Sequence, residues 1–178
     1  MKSSVFIATS LDGYIARLDG ALDWLPANGG EPHGYNEFMA TVDAMVIGRK
    51  TFETVLAFES WPYGATPVFV LTSRPDSLNA PADSACQFLA GAPAEVVDYL
   101  ERLGFRHAYV DGGVTISRFL EAQLIDRMVV TRIPVVLGSG IPLFGQLARD
   151  IRFDHVATRA YASGMVQSEY RVITSDSQ

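Results

Sequence analysis

His107-Ala-Tyr-Val-Asp-Gly-Gly-Val-Thr-Ile-Ser-Arg-Phe-Leu120 changes its pattern once, at a pair of glycines. The apolar run that ends at Val110 is typical of a buried strand. After Gly112 and Gly113 the apolar side chains recur every three or four residues, which indicates a helix. A strand, a glycine turn and a helix start leave backbone N–H groups free at the helix N-terminus, where anions such as phosphate bind. A plain tight turn between strand and helix is the alternative.

A second junction of this kind lies earlier in the chain. The buried run Ala44–Gly48 is followed at once by Arg49, Lys50 and Thr51, which begin another predicted helix. Two adjacent cations are unfavourable at the positive end of a helix dipole. Their presence therefore favours an anion, above all a phosphate, bound at this helix start.

The third junction follows a predicted strand at 67–71, which ends in Thr72, Ser73 and Arg74. Two hydroxyl groups and a guanidinium at a strand end are a candidate phosphate site, since arginine can bind phosphate through two parallel hydrogen bonds. An ordinary polar turn is the alternative interpretation of these three residues.

The rest of the chain alternates strands and helices and then ends in strands. Its further predicted elements are a strand at 5–8, a helix of about three turns from Pro32, a strand near 87–89, a helix from Pro93, a strand at 128–133 and a β-hairpin over 155–173. This order predicts an α/β fold with a central, mostly parallel mixed sheet flanked by helices and an antiparallel C-terminal hairpin.

Composition limits the classes of function. The 178 residues are expected to form a single domain, 1–178, and the 48% of hydrophobic residues predicts a globular one. The net charge of −6 argues against nucleic acid as a partner. No apolar run reaches the roughly 20 residues of a membrane span, so a cytoplasmic protein with no membrane partner is expected. The three histidines and the one cysteine lack ligand spacing, so no metal is expected.

The three junctions can act together, because ligands of parallel sheets bind at the carboxyl ends of the strands. A ligand that reaches all three would be extended and multiply phosphorylated, which suggests a dinucleotide. The sequence contains neither G-x-G-x-x-G nor G-x-x-x-x-G-K-[ST], so an ordinary Rossmann site and a P-loop are both disfavoured.

These junctions fall in the order and spacing of dihydrofolate reductase. The matching stretches are Val46-Ile-Gly-Arg-Lys-Thr-Phe-Glu53, Val70-Leu-Thr-Ser-Arg-Pro75 and the Gly112-Gly113 turn. Two more stretches, Ser10-Leu-Asp-Gly-Tyr-Ile-Ala16 and Val136-Leu-Gly-Ser-Gly-Ile-Pro-Leu-Phe144, are similar to the reductase domain at the C-terminus of the bifunctional riboflavin-biosynthesis enzyme. The chain resembles this RibD C-terminal domain family over nearly its whole length.

The resemblance implies a dihydrofolate reductase-like fold and an NADPH-dependent reductase. It implies that the backbone of Ala8 meets the nicotinamide amide and that Thr72, Ser73 and Arg74 surround the adenosine 2′-phosphate. The other implied cofactor-binding residues form two groups. The group around the pyrophosphate and the 2′-phosphate region consists of Gly48, Arg49, Lys50 and Thr51. The group at the pyrophosphate alone consists of Gly112, Gly113, Val114 and Thr115.

The chain departs from dihydrofolate reductase at the buried acid that binds the pteridine ring. That position falls near Gly29, which has no side chain, and Glu31 is the nearest carboxylate. Thr131 matches the threonine that partners the acid. Asp12 and Asp111 are further candidate polar groups for a different substrate. The alternatives are turn chemistry for both aspartates and an exposed helix start for Glu31.

We therefore expect hydride transfer to a C=N or C=O group of a small heterocyclic or sugar-derived substrate. The resemblance points to the 5-amino-6-(5-phosphoribosylamino)uracil reductase of riboflavin biosynthesis, and to a homodimer. Arg17 and Arg132 are candidate cations for a phosphoribosyl group. A genuine dihydrofolate reductase that uses Glu31 is one alternative, and a non-catalytic nucleotide-binding relative is the other.

Overall fold

The computed structural model describes residues 1–26, 31–82 and 84–173. Its strands are β1 (Lys2–Thr9), β2 (Tyr14–Ala16), β3 (Ala44–Gly48), β4 (Val68–Leu71), β5 (Cys86–Leu89), β6 (His107–Asp111), β7 (Arg127–Arg132), β8 (Ile141–Pro142), β9 (Phe153–Ala160) and β10 (Val166–Val172). Its α-helices are α1 (Tyr35–Met39), α2 (Arg49–Leu56), α3 (Pro93–Arg102) and α4 (Gly113–Glu121).

Eight of these strands form one sheet in the order β5-β4-β3-β6-β1-β7-β10-β9. The six strands from β5 to β7 run parallel to one another, and β10 and β9 continue the sheet as an antiparallel hairpin. The two short strands β2 and β8 pair separately. The predicted α/β fold, with its mostly parallel sheet and antiparallel C-terminal hairpin, is confirmed.

Helices cover both faces of the parallel part of the sheet. On one face α3 and α4 contribute Leu100, Ile116 and Phe119 to a core that includes Val5 and Val110. On the other face, α1 and α2 contribute Phe38 and Phe52 to a second core. The parallel strands therefore consist of nearly continuous apolar runs, as expected for strands buried on both sides.

The prediction of a helix of about three turns from Pro32 is wrong at both ends. The observed α1, Tyr35–Met39, has five residues. Gly34 has a positive φ of 85°, and this left-handed residue prevents a helix from continuing between Pro32 and Tyr35. At the other end, the Thr41 hydroxyl donates a hydrogen bond to the carbonyl of Phe38 (2.7 Å), and the chain turns towards β3.

The sheet opens at the carboxyl end of β1. Pairing of β1 with β6 covers Lys2 to Ser4, whereas pairing of β1 with β7 continues to Thr9. The carboxyl ends of β1 and β6 therefore diverge, and the gap between them leaves room for a ligand at the edge where such sheets bind ligands. No helix within the described ranges is long and apolar enough to cross a membrane.

Candidate functional site

A cavity of about 500 Å³ lies at the gap between β1 and β6. Its lining comes from the end of β1, from β2 and from the first turns of α2 and α4. The predicted cofactor-binding residues that line it are Ala8, Gly48, Arg49, Lys50, Thr51, Gly112, Gly113, Val114 and Thr115. The structure therefore brings two of the three predicted phosphate junctions together in one place.

The third junction lies one strand further along the sheet, after β4. Thr72, Ser73 and Arg74 are not among the described residues that line the cavity. The Thr72 hydroxyl accepts a hydrogen bond from the backbone N–H of Arg74 (3.1 Å), as in the polar turn that was the alternative interpretation. The side chains of Ser73 and Arg74 are exposed, so they remain free to meet a ligand that extends out of the cavity.

The two junctions in the cavity are packed against each other through reciprocal glycine–threonine contacts. A Cβ atom added to Gly48 would lie 2.8 Å from the Thr115 hydroxyl oxygen. A Cβ atom added to Gly112 would lie 2.5 Å from the hydroxyl oxygen of Thr51. Each glycine therefore makes room for the threonine of the other junction, and the N-termini of α2 and α4 meet although the two helices lie on opposite faces of the sheet.

This arrangement concentrates backbone N–H groups at one end of the cavity. The first residues of a helix carry N–H groups without intrahelical acceptors, together with the positive end of the helix dipole. Two such ends side by side, with little side-chain bulk at Gly48, Gly112 and Gly113, suit a group with several negative charges.

Cations also line this cavity. Arg49 and Lys50 begin α2, and the Arg49 Nε donates to the Glu53 carboxylate (2.7 Å). Arg118, on α4, also lines the cavity and donates to the carbonyl of Gly91 (3.2 Å). Arg118 is not among the predicted residues. Arg118 lies four residues after the predicted Val114, so the two side chains lie on one face of α4. This spacing would have identified Arg118 from the sequence.

Ile141 of β8 lines the cavity, and the glycine-rich segment before it packs against β2 and the loop that contains Asp12. Asp12 accepts hydrogen bonds from the backbone N–H groups of Leu137 (3.1 Å) and Gly138 (2.7 Å), so its carboxylate holds two loops together. Gly140 lies so close to β2 that a Cβ atom there would be 2.4 Å from the carbonyl of Ala16. The turn role that was the alternative for Asp12 is the one observed.

Asp111 and three aromatic side chains form the wall on the α1 and α2 face of the sheet. Phe6, Tyr63 and Tyr109, which we call the aromatic wall, line the cavity with Asp111. The Tyr109 hydroxyl donates to the carbonyl of Phe6 (2.7 Å), and the Asp111 carboxylate accepts from the N–H of Gly112 (2.8 Å). Burial raises the pKa of Asp111 to about 6, against a smaller lowering by the Gly112 N–H. Perturbed acids of this kind are common at functional sites.

The candidates for the missing folate-binding acid make other contacts. The Glu31 carboxylate accepts hydrogen bonds from the N–H (2.9 Å) and the hydroxyl (2.6 Å) of Ser163, and these bonds lower its pKa. The buried Thr131 hydroxyl accepts from the Gln167 amide (2.9 Å), so its partner is an amide of β10. Gly29 lies outside the described residues. These contacts disfavour folate reduction through Glu31.

The two candidate cations for a phosphoribosyl group also lie elsewhere. Arg17 makes two hydrogen bonds to the Asp23 carboxylate, at 2.5 and 3.0 Å. Arg132 lines a separate groove with Phe144 and Tyr170. Neither arginine is among the described residues that line the cavity. The structure therefore does not bring them together at one site.

The packing of Gly112 against Thr51 predicts a specific loss of stability. We expect Gly112→Ala to lower the free energy of unfolding by about 2 kcal/mol more than Gly138→Ala, because of the overpacking. Gly138 is the matched control, since it also has a positive φ but no atom within 4 Å of an added Cβ. Urea unfolding measures both variants, and equal losses would contradict the proposed contact.

The buried carboxyl of Asp111 predicts a pH-dependent effect on stability. Because its pKa is raised from 3.8 to about 6, the native state holds the proton more tightly than the unfolded chain. Its contribution to stability is present below pH 4 and is lost as the pH rises through 6. We therefore expect Asp111→Asn to match the wild type near pH 4 and to gain roughly 2 to 3 kcal/mol above pH 6.

Asp12→Asn is the control for this experiment, with the opposite sign. A hydrogen bond with Ser10 is the largest cause that lowers the pKa of Asp12, followed by smaller contributions from backbone N–H groups, so its ionised form stabilises the native state. Asp12→Asn should reduce the free energy of unfolding at neutral pH. Chemical denaturation between pH 4 and 8 measures both variants, and a pH-independent effect of Asp111→Asn would refute the burial of its charge.

Comparison with known proteins identifies the family of this chain. The model of the RibD C-terminal domain matches residues 3–167. The uncharacterized protein YwjB of Bacillus subtilis is 36% identical over 172 residues, which cover 95% of this chain and 97% of YwjB. The expected family resemblance is thereby confirmed.

Solved structures show the same relationship. The crystal structure of a putative riboflavin biosynthesis protein from Shewanella sp. PV-4 is 39% identical, covers 98% of this chain and 100% of its own, and superposes with a TM-score of 0.87. Dihydrofolate reductase from Enterococcus faecalis, in a complex with NADP(H), is 20% identical, covers 97% of each chain and gives a TM-score of 0.70, which shows the shared fold. The chain belongs to the RibD C-terminal domain family, with the fold of dihydrofolate reductase.

Proposed function

We propose that residues 1–178 act as a single NADPH-dependent reductase domain that transfers a hydride to a small heterocyclic or sugar-derived substrate. The activity would resemble that of the 5-amino-6-(5-phosphoribosylamino)uracil reductase of riboflavin biosynthesis. The observation that carries this proposal is the meeting of two helix N-termini at one end of the cavity, where Arg49 and Lys50 begin α2. Arg118, further along α4, lines the same cavity. Membership of a reductase family supports it.

The residues at the helix ends fit the phosphates of a dinucleotide. Pyrophosphate would bind the N–H groups that begin α2 and α4, which the contacts of Gly48 with Thr115 and of Gly112 with Thr51 hold side by side. Arg49, with Arg74 outside the cavity, would bind the 2′-phosphate that distinguishes NADPH from NADH. When bound, the nicotinamide supplies the hydride.

The residues deeper in the cavity would orient the ring and the substrate. The backbone of Ala8 lies beyond the end of the β1–β6 pairing, so its polar groups on that side are available to a carboxamide. The aromatic wall would present an apolar surface to the nicotinamide ring, and the Asp111 carboxyl can hold a proton there near pH 6. Asp111 therefore takes the place in the proposal that the folate-binding acid has in dihydrofolate reductase.

Titration with NADPH and with NADH, followed by tryptophan fluorescence, tests the proposal. We expect at least tenfold tighter binding of NADPH, because a charge-assisted hydrogen bond to the 2′-phosphate contributes about 1.5 to 3 kcal/mol. Arg49→Ala should remove most of this preference. Arg74→Ala should remove less, since Arg74 is exposed outside the cavity.

Arg102→Ala, at the exposed end of α3, is the matched control and should leave both affinities unchanged. Equal affinity for the two cofactors in the wild type would refute the proposed 2′-phosphate site. Absence of binding of either cofactor would refute the reductase and leave the fold without an assigned function, whereas binding without hydride transfer would favour the non-catalytic nucleotide-binding relative.

The edge strand β9 supports the homodimer that the family resemblance implies. Every residue from Asp154 to Ala160 is exposed, including Val156 at 47%. A long exposed edge strand offers unpaired backbone groups to another chain, and we expect a second copy to pair there. Light scattering should give twice the mass of the 19.4 kDa chain, whereas a monomer at micromolar concentration would contradict this expectation.

A further inference from the structure

A second, smaller groove lies on the antiparallel part of the sheet. This hairpin groove has a volume of about 200 Å³, and it shares no described lining residue with the cavity of the proposed cofactor. Two of its lining residues are polar, Arg132 and Ser168. The others present an apolar or aromatic surface and are Met128, Val130, Phe144, Phe153 and Tyr170.

The groove lies at the margin of the core that α3 and α4 cover. Met128 belongs to that core, and Val130 and Phe153 pack against it. On β9, however, every residue from Asp154 to Ala160 is exposed, and Phe144 is 44% exposed. An apolar surface that begins in the core therefore continues into solvent.

The strand register places the two polar residues of the groove beside each other. Ser168 pairs with Val130, and Arg132 pairs with Val166, so Arg132 and Ser168 are diagonal neighbours on one face of β7 and β10. Diagonal neighbours lie about 7 to 8 Å apart, which is within reach of a long side chain. The guanidinium and the hydroxyl can therefore contact one group of a ligand.

Arg132 has no carboxylate partner in the part of the chain that the structure describes. It is exposed, whereas Arg17, Arg49 and Arg127 each form an ion pair. No aspartate or glutamate is among the described residues that line the groove. An unpaired guanidinium beside an apolar surface favours a ligand with an anionic group, which it can bind through two parallel hydrogen bonds.

Ser168 ends a chain of hydrogen bonds that begins outside the groove. Its Oγ lies 2.9 Å from Oγ1 of Thr158, which lies 2.7 Å from Nε2 of His155. When His155 donates from Nε2, Thr158 donates to Ser168, and the Ser168 hydroxyl proton is free to point at a ligand. The chain can thus supply a second donor for the same anion as Arg132.

We propose that the hairpin groove is a second binding site, which takes a small amphipathic carboxylate. The carboxylate accepts hydrogen bonds from Arg132 and Ser168, and the apolar part of the ligand packs on Val130, Phe153 and Tyr170. This proposal goes beyond the reductase and does not depend on it, because the two sites are lined by different residues.

The size and the charge of the groove favour a small ligand over a second copy of the chain. Its 200 Å³ is below the range of roughly 300 to 1,000 Å³ that is typical of pockets for drug-sized ligands, so it suits a single ring or a short alkyl chain. A second copy related by a two-fold axis would present the same lining to the groove. That lining contains a cation and no described acid, so Arg132 would gain no partner.

Nuclear magnetic resonance of the ¹⁵N-labelled full chain, titrated with 3-phenylpropionate, tests the proposal. We expect saturable shifts of the amides of Val130, Arg132 and Ser168, with a dissociation constant on the order of 1 mM for so small a ligand. The neutral 3-phenylpropanamide should bind at least about fivefold more weakly, because charge-assisted hydrogen bonds are roughly twice as strong as neutral ones. Saturation with NADP⁺ should change the affinity less than twofold.

Three variants separate the charge from the surface. Arg132→Gln should weaken 3-phenylpropionate at least about fivefold and leave 3-phenylpropanamide within twofold, since only the carboxylate needs the guanidinium. Arg132→Lys should keep part of the preference for the carboxylate. Arg171→Gln is the matched control and should change neither affinity, because Arg171 is an exposed arginine of β10 that is not among the described lining residues.

The proposal would be overturned by equal affinities for the carboxylate and the amide, or by an affinity unchanged in Arg132→Gln. Absence of shifts in the groove at about 10 mM, tenfold above the expected constant, would overturn it as well. Competition with NADP⁺ would place the probe in the other cavity. Sedimentation of Arg132→Gln as a monomer when the wild type is a dimer would show that a second copy covers the groove. None of these outcomes bears on whether NADPH binds at the helix starts.

Discussion

The contact between two strand–helix junctions determines the rest of the site. Gly48 accommodates Thr115, and Gly112 accommodates Thr51, so the starts of α2 and α4 are held side by side. These helices leave adjacent strands towards opposite faces of the sheet, which creates a crevice at the strand ends. The early end of the β1–β6 pairing widens this crevice into the cavity. The proposed phosphate site and the proposed ring site thereby share one edge of the sheet.

At Asp111 the stability of the fold opposes the proposed function of this edge. Its charged form is unfavourable where it is buried, and the raised pKa expresses that penalty. An asparagine would accept the same hydrogen bond from Gly112 without the penalty. A carboxyl at this position is therefore better explained by a ligand than by the fold, which agrees with the general tendency of strained or destabilised groups to mark functional sites.

The parts of this structure that could be predicted from the sequence depend on local patterns. Strand–glycine–helix patterns located both junctions correctly, because turn geometry and helix periodicity act over a few residues. The contacts of Glu31 with Ser163 and of Thr131 with Gln167 join residues far apart in the chain, so no spacing rule identifies them. The length of α1 was missed because the left-handed conformation of Gly34 overrides the apolar periodicity around it.

Nuclear magnetic resonance of the ¹⁵N-labelled protein, titrated with NADP⁺, shows whether the two helix starts bind one cofactor. We expect the largest shifts of backbone amides to occur together at Arg49, Lys50 and Thr51 and at Gly113 and Val114, since both helix starts would contact one ligand. The amides of β9 should not move. Shifts confined to one of the two helix starts, or centred on the groove around Tyr170, would refute a shared phosphate site at the two junctions.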